Sequence, residues 1–424
     1  MHRTDEAYAY SLDSRDPLSH FRDRFYLNPS EIYMDGNSLG LLSVDAEASL
    51  MRILDEWKRL GINGWMRADK PWFTYAEALA RECAPLVGAG SEEVILHAST
   101  TVNIHALIAT FYSPQGEKRK ILIEKNAFPT DRYAVQSQLI LKGFDAESDL
   151  TEVTYPEDAF LDEGDIIDAM TWDVALIFLP SVLYRSGQLL NIARLAKEAH
   201  RRGIVIGFDC SHSVGAVPHS LSDWQVDYAC WCTYKYCNSG PGGVAGLYVN
   251  KKHFSKEPAL AGWFGSTKER QFDMSHRFER AQDAGAWQTG TPHILSLAPL
   301  EGSLRIINDA GISAIRSKSL RLTGYLIYLV REELVQFGFE IGTPLEEERR
   351  GGHVALTHAN AIQINEALKA KGIVSDFRLP NIIRFAPVAL YNSFHDVWQV
   401  IGTIKRIMET GEYLNYGTER GIVA

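Results

Sequence analysis

Between residues 91 and 300, short apolar runs rich in β-branched residues alternate with amphipathic stretches. EVILH (93–97) precedes TTVNIHALIATFY (100–112), and KILIEK (120–125) precedes TDRYAVQSQLI (130–140). VALIFLP (174–180) leads into NIARLAKEAHRRG (191–203), whose closing Gly203 is followed by IVIGFD (204–209). Period-2 or fully apolar runs alternating with period-3.6 stretches predict a mostly parallel sheet covered by helices on both faces. Upstream, the turn-rich DGNSLGLL (35–42) precedes a helix capped by Ser43, running to Leu60 and stopped by Gly61. Past residue 300 the rhythm changes. A long helix over about 312–337 meets the charged turn LEEERRGG, then HVAL, the helical ANAIQINEALKAKG, IIRFAP and a last helix from Ser393. The S-F-H-D start of that helix has the form of a capping box. This final part reads as a smaller α+β unit.

Composition narrows the partners. At 424 residues the chain exceeds what one core usually serves, so two domains are expected. A net charge of −10 repels phosphate backbones and argues against nucleic acid. No apolar run reaches the roughly 18 residues of a membrane span. The polar start MHRTDEAYAYSLDSRD lacks the apolar core of a signal peptide, which predicts a cytoplasmic protein. The cysteines at 83, 210, 230, 232 and 237 are odd in number, which suits reduced thiols better than a disulfide framework. The spacing of the last three matches no zinc pattern, so no metal is expected.

In open α/β sheets, ligands lie beyond the carboxyl ends of the strands. IVIGFD ends on Asp209, with His212 three residues on, and the next strand, around YACWCTY, delivers Lys235 between Tyr234 and Tyr236. An aspartate and a lysine meeting there allow a buried ion pair, a phosphate-binding lysine, or a lysine carrying pyridoxal 5′-phosphate with the aspartate on the ring nitrogen. The third reading accounts for more of the neighbours. An amine desolvated among aromatics is more easily kept neutral, as a nucleophile and base must be. Ser99, Thr100 and Thr101 stand at a strand-to-helix junction suited to a phosphate, and Phe128 follows the next strand, where it can cover a flat ring.

The stretch FDCSHSVGAVPHSLSDWQVDYACWCTYKYCNSGPGGVAG (208–246) resembles the core segment of the kynureninases, pyridoxal phosphate enzymes of fold type I. GNSLGLL (36–42), STTVNIHALIATFY (99–112), AFPTDRYAVQSQL (127–139), AGWFG (261–265), TGTPHI (289–294) and RFAPVALYNSFHDVWQ (384–399) are similar to that family's blocks, in the same order. The resemblance implies a large domain with a mostly parallel seven-stranded sheet, and a smaller α+β C-terminal domain. It divides the chain into an N-terminal helical segment (1–60) contributing to the small domain and substrate site, a cofactor-binding domain (61–300) and the small domain (301–424). It implies hydrolysis of L-kynurenine to anthranilate and L-alanine in tryptophan breakdown and NAD supply, by a homodimer with shared active sites.

The same resemblance gives Lys235 the cofactor and the base role, Asp209 the ring nitrogen, and Tyr234 a share in proton transfer. Thr100, Thr101, Phe128, Asp131, His212 and Tyr234 would surround the cofactor, with Trp263 and Thr291 reaching it from the neighbouring subunit. Arg384 would clamp the substrate carboxylate, with Ser38, Trp65 and Phe264 at the substrate. Trp65 and Thr291 follow the bacterial pattern and point to unsubstituted kynurenine. Pro180 and Leu183 depart from the family's usual small hydroxyl and polar residues, which leaves a ring-substituted kynurenine open. Another fold type I enzyme, an aminotransferase or a cysteine desulfurase, is the alternative. A desulfurase, however, needs a nucleophilic cysteine in the later half, and no cysteine follows Cys237.

Overall fold

The computed structural model describes residues 2–156 and 159–419. Met1 and residues 420–424, the outer ends of the first and last segments drawn above, lie outside the described residues. In chain order the strands are β1 (Ile32–Tyr33), β2 (Val94–Leu96), β3 (Lys120–Glu124), β4 (Leu150–Val153), β5 (Val174–Pro180), β6 (Val205–Asp209) and β7 (Tyr228–Trp231). They continue as β8 (Gly246–Val249), β9 (Glu340–Ile341), β10 (Val354–Thr357), β11 (Ile373–Val374), β12 (Asp376–Arg378) and β13 (Ile382–Phe385).

The large sheet has seven strands in the order β2-β8-β7-β6-β5-β3-β4. Strands β7, β6, β5, β3 and β4 pair in parallel, and β8 alone runs against both neighbours. All seven residues of β5 are buried, as a strand covered on both faces requires. The helices Thr100–Phe111, Pro129–Leu141 and Ile192–Arg201 supply the crossovers. Each predicted strand of the alternating region forms. Strand β4 (LTEV) escaped the pattern because only Val153 of its four residues is buried, at the sheet edge. Strand β8 (GLYV) was hidden behind the glycine-rich NSGPGGVAG. The helix Ile294–Ala310 was hidden by Pro299 in its interior. It packs on the helix Val44–Leu60 so closely that a Cβ on Gly302 would meet Asp45 O at 2.1 Å.

The C-terminal part holds a four-stranded antiparallel sheet, β12-β13-β10-β9. Against it lie the helices Ile312–Glu333, Ala361–Ala370 and Phe394–Thr410, with a second core built from Leu322, Leu326, Phe385, Val397 and Ile401. The chain's start joins this core through Ala9 and Met34, and β1 pairs with β11. The helix Ile312–Glu333 enters both cores, since Ile315 belongs to the first and Leu322 to the second. The caps read from sequence form as expected. Ser43 accepts from the Ala46 amide, and Ser393 and Asp396 close a capping box.

Away from the strand ends that face the site, Asp227 stands just before β7, where it ties several elements together. It accepts from His200 Nε2 (3.0 Å), His253 Nε2 (2.8 Å), Lys252 Nζ (2.8 Å) and the Ile206 amide (2.9 Å). Burial alone would raise its pKa, but these donors outweigh burial and hold the carboxyl below the usual carboxylate range. The folded pKa lies under the unfolded value of about 3.9, so the contribution is complete above about pH 5 and fades as pH falls below about 4. Asp227→Asn is expected to lower stability at pH 7 by about 1.5–3 kcal/mol. In urea titrations the gap to the unaltered protein should close at low pH. An equal gap at every pH would mean that charge is not what holds this cluster.

Candidate active site

The loop after β7 bends at Lys235 and turns back over Tyr236–Asn238. Tyr236, Cys232 and Cys237 are buried, while Lys235 and Tyr234 are half-buried and open onto a cleft of about 280 Å³. The aromatic and sulfur neighbours therefore form the floor under the lysine rather than enclosing it. The loop is pinned from outside by the DGNSLGLL segment. The Gly40 amide donates to Tyr234 O at 2.7 Å, and a Cβ there would sit 2.3 Å from Lys235 O, so only glycine fits. All five cysteines are buried and free.

Lys235 Nζ lies 2.9 Å from His212 Nε2 and 5.9 Å from the centre of the Phe128 ring. Phe128 stands at the start of the helix Pro129–Leu141 and meets Tyr184 edge-on at 5.4 Å. Asp209 ends β6, and its Oδ1 accepts from the Ser211 amide at 2.8 Å. Asp131, in the first turn of the Phe128 helix, is 2 % exposed, and neither carboxylate oxygen has a partner. Burial first, then the charge of Asp209, pushes the Asp131 pKa well up. Burial also raises Asp209, with Lys235 and Ser211 opposing it. Two buried carboxylates beside one lysine need a further proton donor between them.

Thr100 and Thr101 open the helix Thr100–Phe111 and line the cleft. Thr101 Oγ1 meets Thr130 Oγ1 at 2.7 Å, whereas Thr100 Oγ1 is buried without a partner. Ser99 faces a neighbouring hollow instead. Burial, then Cys232, lifts the Tyr234 phenol above its ordinary pKa, which keeps it a proton donor at neutral pH.

Arg384 reaches the same cleft from β13 and is 1 % exposed. Its Nε donates to Asp376 Oδ2 at 2.5 Å, its Nη1 to Tyr184 O at 2.6 Å and its Nη2 to Ser38 Oγ at 3.4 Å. The sheet thus brings together Lys235, Asp209, Tyr234, His212, Thr100, Thr101 and Phe128, with Ser38 of the N-terminal segment and Arg384 of β13 closing the cleft. Asn37, Thr130, Tyr184, Ser211 and Arg378 also line it and had no role assigned from the sequence. Tyr184 follows β5, so the strand-end rule that found Asp209 would have found it. Arg378 gave no local signal.

Asp131 is buried near Asp209 and Lys235 without lining the cleft, and four further expected residues lie outside it. Trp263 is 44 % exposed, with Nε1 donating to Gln271 O at 3.1 Å, and Thr291 is exposed. Phe264 is buried, 6.2 Å from Trp65, and Trp65 lines a separate apolar hollow with Trp57 and Trp72. Pro180 and Leu183 do not line the cleft. Pro180 pairs with Asp209 across the sheet, Ser181 supplies a hydroxyl to Asp209 O at 3.1 Å, and Leu183 belongs to the main core.

The residues present fit pyridoxal 5′-phosphate. Lys235 offers an amine to an aldehyde, and Phe128 offers an aromatic face. The unpartnered Asp131 oxygens and Asp209 await a ring N–H. The free Thr100 hydroxyl and the helix N-terminus behind it suit a phosphate.

Residues 315–404 match the family model described as the kynureninase C-terminal domain. A kynureninase of Geobacillus thermodenitrificans is 56 % identical over 98 % of this chain and 97 % of its own length. Among solved structures, a cysteine desulfurase from Thermococcus onnurineus aligns with a TM-score of 0.78 at 18 % identity, covering 93 % of this chain and 99 % of that one. A C-DES variant with glycine covalently linked to its pyridoxal phosphate cofactor aligns with a TM-score of 0.77 at 17 % identity, covering 91 % and 98 %. Those two likenesses show the fold alone.

Proposed function

The chain belongs to the kynureninase family, and from that premise we propose how its own residues divide the work. It is a pyridoxal 5′-phosphate enzyme that hydrolyses L-kynurenine to anthranilate and L-alanine, breaking the Cβ–Cγ bond. The observation that carries this reading is near-full-length identity above one half, together with a cleft that gathers a lysine, an aspartate and a buried arginine.

When bound, the cofactor supplies an electron sink beside the substrate's α-carbon. Lys235 Nζ holds it and, as a neutral amine, takes and returns the proton of that carbon. Asp209 and Asp131 present acceptors to the ring N–H. Thr100 and Thr101 would donate to the phosphate, and Phe128 would offer its face to the ring. Arg384, forked and already turned by Asp376, binds the α-carboxylate with Ser38 beside it. Tyr234 Oη delivers a proton to the carbon freed by bond cleavage. His212, facing Lys235, keeps the amine in line.

Trp263, Thr291 and Trp65 complete the site from a second copy of the chain, with Phe264, buried near Trp65, behind them. What supports the dimer is their position outside their own cleft, together with exposed apolar side chains close by in the sequence. Met51 and Trp57 are each 57 % exposed and Ile62 79 %. Among the described residues no helix is long and apolar enough to cross a membrane. We place the enzyme in the cytoplasm. On Trp65 and Thr291 we assign unsubstituted kynurenine as the preferred ring. Assayed with kynurenine, 3-hydroxykynurenine and ring-halogenated analogues, kynurenine should lead by about 10-fold or more in kcat/KM. A 3-hydroxykynurenine preference would reverse the ring assignment. No anthranilate-type product from any of them would remove the function.

A further inference from the structure

His353 closes the LEEERRGGH turn at the start of β10 and is fully buried, yet neither ring nitrogen has a hydrogen-bond partner. Its ring centre lies 5.8 Å from that of His212, tilted by 60°. His212 is held at one nitrogen only, Nε2 against Lys235 Nζ, and its Nδ1 is buried and unpartnered. Across the large-domain loop, a Cβ on Gly187 would come 2.7 Å from His353 O and 3.2 Å from its Nε2. That glycine, at φ +74°, leaves room for the imidazole. The Gly351 amide donates to Gly187 O at 2.7 Å, which clamps the turn to the large domain. On the other side β10 pairs with β13, Ala355 opposite Arg384. His353 thus touches the frame of both the lysine and the arginine of the site.

We propose that His353 is a positioning residue for the reaction: it fixes the His212 imidazole in the orientation that receives Lys235 Nζ, and ties that orientation to the strand bearing Arg384. This rests on the reading of Lys235 as the cofactor-bearing base. The physical ground is the tautomer of His212. For Nε2 to accept from the lysine, the ring proton must sit on Nδ1, and the tautomer is set by what that other nitrogen meets. His353 sets its imidazole against that ring, 5.8 Å away centre to centre, with the Tyr184 carbonyl also near it. The groups facing the pair are Lys235 after β7, Arg384 on β13, Arg378 on β12 and the Tyr184 carbonyl, with Tyr236 against the Gly352 backbone. Burial first, then the nearby cations, holds both imidazoles neutral, so His212 can offer Nε2 to the lysine and His353 keeps one acceptor nitrogen of its own.

The test compares His353→Leu, which fills the space without an acceptor, with His353→Gln, which restores one. The readouts are the pH titration of visible absorbance in the resting holoenzyme, and kcat and KM for kynurenine. His353→Leu should move the titration midpoint down by about half a unit or more, because the acceptor for the protonated nitrogen is misaligned. It should lower kcat about 10-fold with KM changed less than about 2-fold. His353→Gln should recover most of both. In a His212→Gln background, His353→Leu should add nothing further. A wild-type titration in His353→Leu, or an equal effect in both backgrounds, overturns the proposal. Should the leucine variant not fold, the ¹⁵N shifts of His212 in the unaltered holoenzyme decide. A proton on Nδ1 supports the proposal and a proton on Nε2 overturns it. Absence of any visible chromophore in the unaltered enzyme would instead refute the reading of Lys235.

Discussion

Lys235→Ala should stop kynurenine hydrolysis, with kcat down by more than about 10³-fold, and abolish the visible absorbance of the resting enzyme. Two roles are lost together, since one nitrogen both holds the cofactor and moves the α-proton. The fold should survive. Lys235 is half-buried, and the one side-chain hydrogen-bond partner of its amine among the described residues, His212, is held neutral by burial and loses no charge partner. The strain falls instead on Asp209 and Asp131, whose raised pKa values Lys235 draws down against burial. Without it both carboxyls bind protons more readily, so cofactor affinity in the variant should rise with pH as Asp209 regains its charge. Borohydride treatment of the unaltered enzyme followed by peptide mapping should place the pyridoxyl group on residue 235. A modified lysine elsewhere, or an active alanine variant, would sink the assignment at its root.

How legible this site was depended on where its residues sit. Asp209, His212, Tyr234, Lys235, Thr100, Thr101 and Phe128 follow strands whose apolar runs are plain in the sequence, and one rule about strand ends collects them. Ser43 and Ser393 were readable because a cap is local chemistry. Strand β4 lacked a pattern because an edge strand buries little, and the helix around Pro299 lacked one because tertiary packing outweighs a proline's local effect. Asp376, Arg378 and His353 could not be read at all. Their bearing on the cleft arises only when a second domain docks on the first, and nothing in residues 345–378 announces that contact. Trp65, Phe264, Trp263 and Thr291 carry no strand-end signal and lie away from this chain's own cleft. Pro180 and Leu183 stood out by comparison with the family's usual residues. Packing gives them a duller part, one in the sheet opposite Asp209 and one in the core.

Arg384→Lys should raise KM for kynurenine by about 10²-fold while leaving cofactor affinity nearly unchanged. The lysine variant is the sharper probe because Arg384 is engaged on two sides. Asp376 is fully buried and holds the guanidinium at Nε and Nη2, and removing the arginine outright leaves that carboxylate without its partner. A broken buried pair costs about 3–5 kcal/mol, so Arg384→Ala mixes lost binding with lost stability. Arg378 Nε lies 3.1 Å from the same Asp376 oxygen and would offset part of that loss. Lysine keeps the positive charge against Asp376 but has no planar fork. It cannot hold the Tyr184 carbonyl and still offer a carboxylate the free Nη1 N–H together with the Nη2 N–H that otherwise faces Ser38. What disappears is therefore the second, substrate-facing half of the contact. Because the carboxylate fixes which bond at the α-carbon stands against the ring, kcat should also fall, by about 10-fold. Equal losses in cofactor and kynurenine binding would assign the guanidinium to the joint between domains instead of to the substrate. An unchanged KM would leave Arg378, the other arginine lining the cleft, as the carboxylate's partner.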